Sequence, residues 1–129
     1  RSHLKAEDIA FLCDVNVKHG SHFIIHDRSV EEQAMDIEAQ DGDAVIVTGF
    51  DTGMPPSVDK VESCKKRVKL PIFLGSGLST ENIPELLGCA DGAIVGSYFK
   101  EGGNWKNPID NKRAREFMKE VEKLRKEQP

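Results

Sequence analysis

Long apolar runs are missing from this chain. No stretch approaches the roughly 20 apolar residues that a membrane-spanning helix needs, and the first five residues, Arg1 to Lys5, lack the apolar core of a secretory signal peptide. An excess of basic charge is missing too. Eighteen Lys and Arg stand against 22 Asp and Glu, for a formal net charge of -4. That argues against a broad nucleic-acid or membrane-binding surface, since both need a basic face. Aromatic residues are scarce, with one tryptophan, Trp105, and one tyrosine, Tyr98. Cysteine is scarcer still: Cys13, Cys64 and Cys89 are odd in number and far apart, with no Cys-x-x-Cys pair. This excludes a thiolate zinc site or a disulfide framework. Cys13 and Cys89 sit in apolar surroundings and read as small buried hydrophobes in a reducing compartment, the cytoplasm or the mitochondrial matrix.

What is present is a strand-then-helix rhythm repeated four times. Short apolar runs read as strands: Ile9 to Lys18, Asp43 to Thr48, Leu70 to Leu74, and Ala93 to Val95. Continuous apolar runs mark strands buried on both faces, as in a parallel sheet covered by helices. Between them lie helices. The first is announced by the capping box Ser29-Val30-Glu31-Glu32 and stops at Asp41-Gly42. The second is capped by Ser57 and carries Val58, Val61 and Val68. The third is capped by Ser79 or Thr80, holds Pro84 in its first turn and ends at Gly88. The last runs from near Pro108 to about Lys126, with the stripe Ala114, Phe117, Met118, Val121 and Leu124.

Two strand ends stand out. Pro71 to Leu74 stops in Gly75-Ser76-Gly77, and Asp91 to Val95 stops in Gly96-Ser97. They look like the last two strands of a (β/α)8 barrel, whose following loops commonly hold a phosphate group. Such a barrel takes about 250 residues, twice the 129 present. The expectation is one half-barrel domain over residues 1–129, α/β, with four parallel strands in TIM-barrel-type repeats. Two open sheet edges make self-association, or pairing with a missing N-terminal half barrel, the expected state.

The set Asp14-Val15-Asn16-Val17-Lys18-His19, Asp43 to Gly49 with Thr52-Gly53, Gly75-Ser76-Gly77 with Asn82, Ala90 to Ser97, Lys100, Asn107 to Asp110 and Arg113 resembles the BtpA/SgcQ family. The resemblance covers nearly the whole chain and implies a phosphate-binding (β/α)8 barrel of which this would be strands five to eight. It implies little chemistry. One branch of the family is associated with photosystem I biogenesis, and another is described only as a nucleotide- or sugar-related enzyme.

The residues themselves suggest the following roles. Gly75, Ser76, Gly77, Gly96 and Ser97 would let backbone amides and two hydroxyls approach a phosphate, assisted by the N-terminus of the next helix. The alternative is that these glycines only permit close strand–helix packing. Asp14, Asn16 and Lys18 alternate along the first strand and would point into the barrel. Lys18 either pairs with Asp14, contacts an anionic ligand or serves as a reactive amine. His19 is a candidate acid–base group, or a loop residue. His19, His22 and His26 cluster in sequence, but no carboxylate pair at ligand spacing joins them and no metal is expected. Thr48, Asp51 and Thr52 follow the second strand, where Asp51 is either a general base or a turn residue. Lys100 follows the last strand, and Trp105 would stack on a ligand or cover the barrel end. The expected function is binding of a phosphorylated metabolite, a nucleotide or phosphosugar, with Lys18, His19 and Asp51 as the groups to test for chemistry and no cofactor. The rivals are a non-catalytic assembly or biogenesis factor on a TIM-barrel scaffold, and a fragment inactive by itself.

Overall fold

A computed structural model describes residues 1–17, 20–49 and 53–127, apart from the side chain of His22. Four strands, β1 Leu12–Val15, β2 Ala44–Val47, β3 Ile72–Leu74 and β4 Gly92–Ala93, alternate with four helices, α1 Val30–Ala39, α2 Val58–Lys65, α3 Ile83–Cys89 and α4 Asn111–Glu127. The strands are all parallel and lie side by side in chain order. This is the half α/β barrel that the sequence pattern predicts.

The register divides the strand residues between two faces. Val15, Val45, Val47, Ile72 and Leu74 point to the helices and are buried, where they meet Ala34, Val61, Cys64, Ile83 and Leu86. Burial pushes the Cys64 thiol up to about 11, so it packs as a hydrophobe and not as a nucleophile. Cys89 is buried as expected, whereas Cys13, on the edge strand, is half-buried. The opposite, concave face carries Leu12, Asp14, Ile46 and Phe73. Asp14 therefore lies on the inward face that the alternation predicts, and it is exposed there.

Element ends differ from the sequence expectations. β1 is shorter than Ile9 to Lys18: Ile9 is taken up in a turn through its bond to Ala6, and Asn16 leaves the strand with φ 49°. The Asn16 amide donates to Gln33 Oε1 at 2.9 Å, which ties the strand exit to α1. α2 stops at Lys65, and Val68 is buried beyond the helix. α3 starts at Ile83, after Asn82 and not after Ser79 or Thr80. α4 starts at Asn111, because the Asp110 carboxylate accepts the Lys112 and Arg113 amides at 2.9 and 3.2 Å. The capping box of α1 forms as its sequence dictates, with Ser29 Oγ accepting the Glu32 amide.

Two aspartates fix where strands begin. Asp43 Oδ2 accepts the Phe11 amide at 2.7 Å, and Asp91 Oδ2 accepts the Ile72 amide at 2.9 Å. The Phe11 amide, then the Arg1 guanidinium, hold the Asp43 carboxyl below its usual range. For Asp91, burial raises the carboxyl, but the Ile72 amide and the Lys65 ammonium outweigh it and the net shift is downward. A carboxyl lowered on folding stabilises above its unfolded value of about 3.9 and loses that contribution as pH falls through the folded value. Asp91→Asn will thus melt below wild type at neutral pH, and the two will converge on acidification below that value. Thermal melts at stepped pH check this; a gap that stays constant into acid would refute it.

Candidate functional site

The two glycine-serine strand ends converge. Gly75, Ser76, Gly77, Gly96 and Ser97 line a single cavity of about 340 Å³ at the C-terminal ends of β3 and β4. Parallel register brings them there. The Ile94 amide donates to Leu74 O at 2.8 Å, so the chain beyond β4 continues beside β3 as far as its glycine turn.

The Gly75–Gly77 turn is held from three directions. The Gly75 amide donates to Val47 O at 2.9 Å. The Ser76 hydroxyl donates to Met54 O at 3.1 Å. Asn82 Nδ2 donates to Gly77 O at 2.8 Å while its Oδ1 accepts the Ser79 amide at 2.9 Å. Gly77 has φ 74°, and a Cβ there would lie 2.1 Å from the Pro55 nitrogen. The turn therefore needs glycine for its own conformation and for the close approach of the Met54–Pro55 backbone. This close packing does not exclude a ligand, since the turn still lines the cavity. The expected helix dipole contributes little, because α3 has seven residues and starts well past Gly77.

The positive charge comes from a residue that the sequence reading left outside the site. Arg113, in the first turn of α4, lines the same cavity. Its Nε donates to Tyr98 O at 2.7 Å, and its guanidinium lies 4.5 Å from the centre of the Tyr98 ring. Tyr98 in turn shares a hydrogen bond of 2.8 Å with Thr80 Oγ1. The guanidinium is thus fixed at one nitrogen and stacked on a ring, an arrangement suited to anion recognition. The available signal was Asp110, three residues before Arg113, which as a cap sets the start of α4.

Other expected residues fall elsewhere or outside view. Lys18, His19, Asp51 and Thr52 lie outside the described residues. Gly53, at the end of that last loop, lines the cavity. Thr48 is buried, packs its methyl toward Gly75, and among the described residues its hydroxyl has no hydrogen-bond partner. Lys100 forms an antiparallel bridge with Ile109 and does not line the cavity. Asp14 and Asn16, near the end of β1, do not line it either, and Trp105 is exposed away from it. Among the described residues no group of three His, Cys, Asp or Glu could hold a metal ion. No helix of the described residues is long and apolar enough to cross a membrane.

Comparison with known proteins identifies the family. An uncharacterized mitochondrial protein of Caenorhabditis elegans is 42% identical over 126 residues, covering 98% of this chain and 45% of that protein. An uncharacterized protein of Thermococcus kodakarensis is 39% identical over 92% of this chain and 44% of its own length. The photosystem I biogenesis protein BtpA of Synechocystis is 33% identical over 96% of this chain and 43% of its own length. The chain therefore spans less than half the length of the curated relatives it matches. The model of the BtpA family matches residues 1–123, the glycine turns, the cavity and Arg113 included, and on that match the chain belongs to the BtpA family.

Proposed function

We propose that the cavity binds the phosphate of a small phosphorylated metabolite, a nucleotide or a phosphosugar. One observation carries this reading: two glycine-serine strand ends and a braced guanidinium line the same cavity. The glycine turns leave room for an anion against the backbone, and the Ser97 hydroxyl adds a donor. Arg113 supplies charge in a fork that matches phosphate oxygens. Lys18, His19 and Asp51, which follow β1 and β2 in the sequence, are the groups we assign to chemistry on the bound molecule, with Thr52 as a flanking contact. A reducing compartment suits the three free thiols, and the name of the C. elegans relative favours the mitochondrion over the cytoplasm.

Thermal melts against inorganic phosphate, nucleotides and sugar phosphates test the binding. A ligand that binds only the folded chain stabilises it by about 2.7 kcal/mol at a hundredfold excess over its Kd. One class of phosphate compound should raise the midpoint, and Arg113→Ala should abolish that rise while still melting cooperatively. No shift with any phosphate compound would sink the reading.

A second reading, a non-catalytic assembly factor, is favoured by the Synechocystis relative, whose name gives photosystem I biogenesis as its role. It predicts that Lys18→Ala and Arg113→Ala leave the biological role intact.

A further inference from the structure

The two glycine-serine ends are tied to each other twice. The first tie is the sheet itself, where the Ile94 amide donates to Leu74 O at 2.8 Å. Beyond it the segments Gly75 to Ser79 and Gly96 to Ser97 line the cavity between them. They meet again one residue further on each side. Thr80, next after Ser79, and Tyr98, next after Ser97, share a hydrogen bond of 2.8 Å between their hydroxyls.

This second tie has a direction. Thr80 Oγ1 also donates to Glu81 Oε1 at 3.2 Å. The Ser79 hydroxyl, the Glu81 amide and the Thr80 hydroxyl hold the Glu81 carboxyl below its usual range, so at neutral pH it is ionised and can only accept. The single Thr80 proton therefore goes to Glu81, and the Tyr98 hydroxyl donates to Thr80. Tyr98 in turn carries Arg113. Its carbonyl takes the Nε proton at 2.7 Å, and its ring lies 4.5 Å from the guanidinium. The same ring packs against Phe117, one turn further along α4, with 5.5 Å between ring centres. With Nε committed, Arg113 keeps its Nη groups for an anion. A Cβ at Gly103, on the cavity wall, would lie 3.8 Å from Nη2.

We propose that the Thr80–Tyr98 hydrogen bond is the clasp that sets the spacing of the anion site, with Thr80 and Tyr98 as positioning residues that act through Arg113 and the two glycine-serine ends. The inference rests on the phosphate reading for the identity of the ligand. Thr80 does not line the cavity, so it acts on binding only through its partners. With the clasp open, the two segments are joined only through the sheet and through Arg113. An anion then has to order the wall and the guanidinium as it binds, which lowers affinity.

Calorimetric titration with inorganic phosphate tests this in wild type, Tyr98→Phe, Thr80→Val and the double variant. Each single change should weaken binding by up to about tenfold, the scale of one hydrogen bond. The double variant should bind no worse than the weaker single one, because both changes remove the same bond. Thr80→Ser keeps the hydroxyl and should bind as wild type does. Effects that multiply in the double variant, or single variants within about twofold of wild type, overturn the clasp. A second readout needs no ligand. The Arg113 Nε proton should exchange slowly with water in wild type, as followed by NMR, and faster in both Tyr98→Phe and Thr80→Val. Equal exchange in all three overturns the clasp. If wild type binds no phosphate compound, the phosphate reading alone fails, and the clasp stands or falls on that exchange rate.

Discussion

Gly77→Ala will cost this chain a large part of its stability and distort the cavity with it. Gly77 sits at φ 74°, and an added Cβ would lie 2.1 Å from the Pro55 nitrogen and 2.3 Å from the Met54 carbonyl carbon. The left-handed conformation alone costs a non-glycine residue about 1–3 kcal/mol. The contact is with backbone, so no side chain can rotate out of the way. Either the 53–57 segment is pushed off the turn, or the turn opens and the Asn82 bond to Gly77 O is lost. Against a typical total of about 5–15 kcal/mol this is severe. Gly88→Ala is the matched control: Gly88 lies in α3 with nothing within 4 Å of its Cβ position. There alanine should stabilise by about 0.5–1 kcal/mol, since it gives up less chain entropy in a helix. Denaturant melts of both variants decide the matter. Equal midpoints for Gly77→Ala and wild type would mean that the turn is not held as described.

Leu74→Ala should be as damaging for a different reason. Leu74 is fully buried on the helix side of β3, paired with Val47 on one side and Ala93 on the other. Removing its isobutyl group leaves a hole in the core, and such truncations cost about 2–5 kcal/mol. Leu4→Ala, at a site that is 79% exposed, should stay within about 0.5 kcal/mol of wild type. If the two variants melt alike, the packing of β3 against the helices is not what stabilises the sheet.

Much of this was legible in the sequence, and the parts that were not share a cause. Val45, Ile46 and Val47 form a run that no amphipathic surface helix would show, and all three are buried in β2. Ser29 and Glu32 sit three apart and cap each other as local geometry requires. Such features depend on neighbours in the chain. The strand ends do not. β1 stops at Val15 partly because Gln33 of α1 takes the Asn16 amide, a partner that spacing cannot reveal. Asn82 looked like one more polar residue near a helix start, yet it joins the Gly77 carbonyl to the Ser79 amide. Arg113 belonged to the set that carries the family resemblance, but nothing in the sequence placed it in the site. The Lys100↔Ile109 bridge and the Asp110 cap together decide where α4 begins, and so which residue of its first turn reaches the cavity. The glycine turns were visible because glycine marks unusual backbone directly. The guanidinium that completes their cavity was visible only once the fold had set its position.

The strands lie in the sheet in the order in which they occur in the chain. Each new strand docks on the one synthesised just before it, and the loop it closes is a single helix and its connections. The entropy of closing so short a loop is small and nearly the same at every step. As the chain emerges from the ribosome, β2 can settle on β1 before β3 exists, and none of these three pairings waits for a distant partner or threads a strand between two already in place. The two aspartates act at alternate steps of that assembly: when β2 arrives, Asp43 takes the amide just ahead of β1, and when β4 arrives, Asp91 takes the first amide of β3. A mispaired strand, slipped by one residue, would leave those amides without their carboxylates, so the register is checked as the sheet grows.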